Sequence, residues 1–244
     1  MTSHAVDFRS YAGASTEHVS TGVRGLDAML GGQGYFNGTT ALVSGKAGTG
    51  KSTLGAAFAA AACARNERCL YFAFEESAAQ LARNMRSVRI ELGAWIKTGT
   101  LTLRANRATH LGLEEHLVEM IQAIDTLKPA CVVIDPISNF MSVGDPPEIK
   151  SLLLRVIDYL KSREITLVLT ALTGDPHSSE ETESKVTSLV DTWLALDLAR
   201  VGHAYRREIH IVKSRGMKHS QQTSELVMSS RGLSLRELRS RRNV

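Results

Sequence analysis

The chain has 244 residues, 43% of them hydrophobic and 22% charged, the proportions of an ordinary globular protein; they exclude wholesale disorder and a bundle of membrane helices. Single α/β domains commonly run to roughly 250 residues, so one domain with a sizeable core is expected. The formal net charge of +4 is accounted for by residues 231–244, where Arg231, Arg236, Arg239, Arg241 and Arg242 face a single acid, Glu237; the body is neutral, and only a basic tail is offered to acidic partners.

Taken in chain order, residues 1–17 read as a flexible N-terminal arm, and their Met-Thr-Ser-His start lacks the basic and apolar regions of a secretory signal, which points to the cytoplasm. The best candidate for a membrane span, residues 54–64, is too short and mostly alanine, so no membrane association is expected. Cys63, Cys69 and Cys131 are odd in number and sit in or beside apolar runs, as structural thiols of a reducing compartment do.

Apolar, β-branched runs at residues 40–44, 69–74, 101–104, 131–135 and 165–170 read as buried strands. Helix-length segments separate them. In residues 113–127, Leu113, Leu117, Val118, Ile121 and Ile124 recur at helical spacing, and residues 147–161 behave similarly. Such alternation predicts right-handed crossovers and a mostly parallel central sheet flanked by helices. Beyond residue 170, further strand-like runs at 193–196, 207–213 and 225–228, separated by polar connections, predict late antiparallel strands. No repeat of 20 to 50 residues is visible. The domain is bounded at residues 18–233, with 234–244 as a basic C-terminal tail.

The chemistry begins at Gly45-Lys46-Ala47-Gly48-Thr49-Gly50-Lys51-Ser52, which satisfies G-x-x-x-x-G-K-[ST] between a predicted strand and an alanine-rich helical stretch. Such a loop, with Thr53 following, binds ATP. Its glycines let backbone N–H groups curl around phosphate, the helix start adds positive partial charge, Lys51 reaches the β- and γ-oxygens, and Ser52 offers a hydroxyl to Mg²⁺. The run Cys131-Val132-Val133-Ile134-Asp135 ends a core strand on a carboxylate, and Asp135 is the second expected holder of the Mg²⁺ shell, through water. Glu75 and Glu76 follow the aromatic strand 70–74. Two adjacent carboxylates repel each other, so packing is a poor reason for them; one can orient or deprotonate the attacking oxygen. They could instead serve the start of the next helix, where acids are favoured.

Together with the phosphate loop, the segments Ser20-Thr21-Gly22-Val23-Arg24-Gly25-Leu26-Asp27, Phe72-Ala73-Phe74-Glu75-Glu76-Ser77, Arg83-Asn84 and Val212-Lys213-Ser214-Arg215-Gly216 resemble the KaiC family within the RecA-like P-loop NTPases. The resemblance spans residues 18–233. It implies a homo-oligomer, a hexameric ring with ATP at the subunit interfaces, in which Lys213 and Arg215 reach the neighbour's γ-phosphate. KaiC proteins usually carry two such domains, the second with a phosphorylatable Ser-Thr pair. Residues 183–192 here resemble that phosphosite segment, with Thr187 and Ser188 at the pair in inverted order. The resemblance therefore implies autophosphorylation as well as ATP hydrolysis, read by a regulatory protein partner in circadian or other signalling. Two rival readings stand beside it. A DNA-dependent RecA-like motor is opposed by the neutral body, an aromatic content of 5% and the lack of a basic loop with interleaved aromatics. The other rival is an oligomeric scaffold that uses ATP as interface glue without kinase activity.

Overall fold

The computed structural model describes residues 15–173 and 186–238. Two short strands, β1 (His18–Val19) and β2 (Tyr35–Phe36), pair antiparallel around helix α1 (Arg24–Met29). The main elements follow as β3 (Thr40–Gly45), α2 (Lys51–Ala64), β4 (Cys69–Ala73), α3 (Ala78–Arg86), α4 (Leu92–Thr98), β5 (Leu101–Ala105), α5 (Leu113–Leu127), β6 (Cys131–Asp135), α6 (Pro146–Lys161) and β7 (Thr166–Leu172). After β7 the chain closes with β8 (Thr192–Val201), β9 (Ala204–Ser214), β10 (Ser224–Ser229) and β11 (Gly232–Glu237).

Among the described residues these strands form one nine-stranded sheet in the order β11-β10-β9-β8-β3-β7-β6-β4-β5. The run from β5 to β8 is parallel, and β8 to β11 are joined antiparallel. A mostly parallel sheet flanked by helices with late antiparallel strands is the architecture expected from the sequence, and the alternation of apolar runs with helical periods is its cause. Along β3 and β6 successive side chains point to opposite faces. Ala41, Val43 and Val133 enter the layer packed by α1 and α2, whereas Leu42, Val132 and Ile134 enter the layer packed by α5 and α6. Both faces are covered, so neither strand shows polar alternation.

Helix α2 is apolar nearly all round, with residues from Thr53 to Cys63 buried on most of its faces. Its small side chains let it lie close on the sheet: a Cβ at Gly55 would stand 3.2 Å from Val133 Cγ1 and 3.4 Å from the Tyr71 hydroxyl. On the other face, α6 starts from Asp145, whose side chain accepts from the Glu148 N–H at 2.9 Å while Glu148 reaches back to the Asp145 N–H at 3.1 Å. A proline occupies the first turn, where its missing N–H has no partner to lose. This helix buries Leu153 and Leu160 completely, and each such side chain contributes about 1.5–3 kcal/mol.

Three boundaries differ from expectation. β8 and β9 are much longer than the apolar runs that announced them, because their hairpin continues into solvent, where Val201 and Tyr205 are exposed; an apolar criterion detects only the buried half. β1 and β2 are two residues each, below the length at which alternation can be read. Residues 234–237, counted with the basic tail in the sequence, belong instead to β11, paired with β10 through Glu225↔Arg236 and Leu226↔Leu235. Leu233 and Leu235 alternate onto the core and hold that strand in place.

Candidate active site

The parallel strands deliver their carboxyl ends to one edge of the sheet, and three loops meet there. The first leaves β3 at Gly45 and enters α2 through Gly50, whose φ of 107° and ψ of 18° suit only a residue without Cβ. A side chain at Gly50 would also strike Met228 Sδ at 2.9 Å. The Lys46 carbonyl gathers the loop: it accepts from the Lys51 ammonium at 2.9 Å and the Thr49 hydroxyl at 2.8 Å. Partial burial pulls the Lys51 pKa down, and the negative charges of Asp135 and Glu75 oppose that shift. Lys51 thus feels two carboxylates, one at the end of β6 and one just after β4.

Asp135, at the end of β6, is 6% exposed. A buried carboxylate needs donors, and the fold supplies three hydroxyls. Ser52 Oγ donates to Oδ1 at 3.1 Å, Tyr71 to Oδ2 at 2.7 Å, and Thr170 to Oδ1. Burial first, and the adjacent Asp135 charge second, push the Tyr71 phenol well above its ordinary pKa, so it stays protonated and donates. A hard divalent cation takes oxygen ligands and keeps much of its water. The donor set of Ser52 hydroxyl and Asp135 carboxylate, already within hydrogen-bonding distance of each other, fits Mg²⁺ next to the phosphate loop.

The paired acids after β4 have different surroundings. Glu76 is half-buried, and its Oε1 and Oε2 both accept from the Asn84 amide Nδ2, at 3.1 and 3.2 Å. Glu75 is exposed and lies in electrostatic reach of Lys51. Neither acid caps α3. That task falls to Ser77, whose hydroxyl accepts from the Gln80 N–H at 3.3 Å while Gln80 returns a bond to the Ser77 N–H at 3.1 Å. The helix start therefore gives no reason for Glu75.

Lys213 and Arg215 lie elsewhere. The Arg215 N–H donates to the Asp191 carbonyl at 2.9 Å, and the Asp191 N–H donates to Thr40, the first residue of β3, at 2.8 Å. Gly45, where the phosphate loop begins, is at the last position of that strand, roughly 17 Å away at about 3.3 Å per residue. Both side chains bind carbonyls of the segment before β8: Lys213 Nζ reaches the Thr187 oxygen at 2.5 Å, and Arg215 Nη2 the Ser188 oxygen at 3.0 Å. Burial, then the Arg215 charge, lowers the Lys213 pKa. Thr187 is half-buried beside an apolar pocket lined by Trp193, Ile137 and Val186, and Ser188 is exposed. Residues 183–185 of the phosphosite segment lie outside the described residues.

The structure thus brings together Lys46, Thr49, Lys51, Ser52, Asp135 and Glu75, and sets Lys213, Arg215, Thr187 and Ser188 apart as a second group. Sequence reasoning missed Tyr71 and Thr170 on Asp135, Asn84 on Glu76, and Arg207, whose Nε donates to the Gly48 carbonyl at 2.9 Å. Strand alternation could have flagged Thr170 as a hydroxyl in an otherwise apolar run; nothing local announces Arg207.

Residues 19–240 match the family described as ATPase: KaiC. The chain is 45% identical over 225 residues to a protein named circadian clock protein KaiC2 of Synechocystis, covering 91% of this chain and 40% of that one. It is 32% identical to the circadian clock oscillator protein KaiC of Picosynechococcus, covering 92% and 43%, and 33% identical to that of Thermostichus vulcanus over the same shares. The chain spans about two fifths of the length of these curated relatives.

Proposed function

The chain belongs to the KaiC family of RecA-like P-loop ATPases, and from that premise we propose that it binds MgATP at residues 45–53, hydrolyses it, and transfers phosphate to Thr187 or Ser188 of an adjacent copy. The observation that carries the reading is the convergence of Lys51, Ser52, Asp135 and Glu75 from three elements at one sheet edge.

In this reading the amides of residues 46–52 and the start of α2 bind the β-phosphate, and Lys51 exchanges its bond to the Lys46 carbonyl for β- and γ-oxygens. Ser52 and Asp135 would hold Mg²⁺, which would neutralise charge on the phosphate oxygens. Tyr71 and Thr170 keep the Asp135 carboxylate oriented beside it. Glu75 accepts the proton of the attacking oxygen, from water in hydrolysis or from a serine or threonine hydroxyl in transfer. The γ-phosphorus forms its new bond to that oxygen as the bond to the β,γ-bridging oxygen breaks, and ADP leaves. Glu76, engaged by Asn84, positions the loop and leaves the base role to Glu75.

A γ-phosphate bound at one end of the sheet is out of reach of Lys213 and Arg215 at the other end of the same chain. Their proposed role as arginine-finger cations is therefore played in trans, in a closed ring of copies with ATP between them, six in the proposed assembly. The carbonyl contacts of Lys213 and Arg215 support a link between the finger and the acceptor pair. The relatives' names carry a biological context to this chain as a proposal: a cytoplasmic timing or signalling protein whose phosphorylation state is read by a regulatory partner. No helix of the described residues is long and apolar enough to cross a membrane.

Intact-mass spectrometry after incubation with MgATP, alongside phosphate release, tests the reading. The expected result is turnover plus a mass increase of one or two phosphates on residues 187–188. Turnover without the mass increase removes the kinase; stimulation by single-stranded DNA that fades as salt rises turns the reading toward the motor.

A further inference from the structure

Arg207 is a charged side chain that none of the chemistry above uses. It stands on β9 opposite Leu198 of β8, in the stretch where the hairpin overhangs the start of the phosphate loop. Its Nε donates to the Gly48 carbonyl at 2.9 Å across 159 positions of sequence. Two and four residues further along the same strand, Ile209 and Ile211 are buried in the core layer that also holds α2. The guanidinium is thus carried by a strand whose adjoining positions are fixed by packing. Met228 and Leu226 of β10 approach the loop at Gly50 from the same side.

We infer that Arg207 is a positioning residue for the phosphate loop, which it holds in its phosphate-accepting shape through the Gly48–Thr49 peptide. A trans peptide is planar, with its C=O and N–H pointing in opposite directions. Fixing the Gly48 oxygen toward β9 therefore fixes the Thr49 N–H away from β9, on the side where the loop curls. In the structure that N–H lies over the Lys46 carbonyl at 3.4 Å, a long contact, and the same oxygen takes the Thr49 hydroxyl and the Lys51 ammonium. The amide is consequently aimed and only weakly engaged. Gly48 itself adopts φ 76°, a left-handed conformation, and the space where a Cβ would stand is open beyond its chain neighbours. Without the guanidinium the peptide is free to turn and present its carbonyl to phosphate, a repulsive arrangement. The cation also lends positive charge to the mouth of the loop.

The inference rests on the proposal that this loop binds nucleotide, so the experiment reports on the two separately. ATP and ADP affinities are measured by calorimetry, and KM and kcat by phosphate release, for the unaltered protein, Lys51→Ala, Arg207→Ala and Arg207→Lys. Failure of the unaltered protein to bind ATP overturns the nucleotide reading itself. With that binding in hand, Arg207→Ala is expected to weaken ATP and ADP alike by about tenfold, the worth of one charge-assisted hydrogen bond, and to raise KM with kcat nearly unchanged. Arg207→Lys, whose ammonium can still donate to a carbonyl, is expected to recover part of the loss. Equal affinity in Arg207→Ala overturns the inference. So does a loss confined to ATP, which would put the guanidinium on the γ-phosphate, and so does a fall in kcat without a change in KM. Thermal unfolding is expected to be the same in both Arg207 variants, and a loss of affinity that follows a loss of stability overturns the positioning role.

Discussion

The two ends of the sheet hold two separate groups of polar side chains, which the proposed reaction would use as complementary halves. At the carboxyl end of the parallel strands stand a phosphate loop, a buried carboxylate with three hydroxyl donors and an exposed acid; at the other end stand two cations and two hydroxyl residues whose carbonyls those cations bind. The first group is built at the carboxyl ends of β3, β4 and β6 of one chain. The second is anchored to the start of β3 through Asp191. No rotation of side chains spans the strand between them, and the proposed reaction needs a second copy to bring the halves together.

Removing the cation of the distant half gives the largest expected effect. An arginine finger stabilises charge that develops only in the transition state, so Arg215→Ala is expected to lower kcat by about three orders of magnitude, with ATP affinity nearly unchanged in calorimetry. An unaltered kcat, or a monomer by sedimentation at every nucleotide concentration, would overturn the in-trans role of Arg215. Mixing Arg215→Ala with Lys51→Ala subunits sharpens it, since only a shared site regains activity from two inactive parents.

Next in size is the acid. Glu75→Gln keeps the shape and removes the proton acceptor, and a loss of about a hundredfold in turnover is expected. Glu76→Gln is expected to cost only a few-fold, because its partner Asn84 can still bond a neutral amide. The reverse ranking in a phosphate-release assay would move the base role to Glu76.

Lys51→Ala acts on the near half alone. Phosphate charge loses its principal side-chain cation, and ATP affinity is expected to fall by about a hundredfold; the measurement is calorimetry, and an unchanged affinity would falsify the nucleotide site. The smallest effect belongs to Tyr71→Phe. The phenol donates to a buried carboxylate, so its removal is expected to destabilise the fold by about 1–3 kcal/mol in urea unfolding. The same variant is expected to weaken Mg²⁺-dependent ATP binding slightly, through a less firmly oriented Asp135.

The near half was legible because its parts are contiguous or lie at predictable places. Residues 45–52 form an unbroken motif whose spacing expresses backbone geometry, and Asp135 stands where an apolar strand must end at the sheet edge. Helix α5 was readable to the residue from its periodicity. By contrast, β11 was hidden in a stretch whose five arginines dominate its composition, although Leu233 and Leu235 alternate correctly for a strand packed on one face.

By itself, then, the sequence determined the parallel α/β class, the phosphate loop and the acids near it, because local periodicity and short-range backbone requirements are written in consecutive residues. Only the tertiary structure decided that Tyr71 and Thr170 share Asp135 with Ser52, that Asn84 occupies Glu76 while Glu75 stands near Lys51, and that Arg207 reaches Gly48. It also set Lys213 and Arg215 at the far end of the sheet from their own phosphate loop. These contacts join residues from 8 to 159 positions apart. Their existence depends on strand order and on which face each side chain takes, and those follow from how the two core layers pack, a property of the whole chain that no short window of sequence contains.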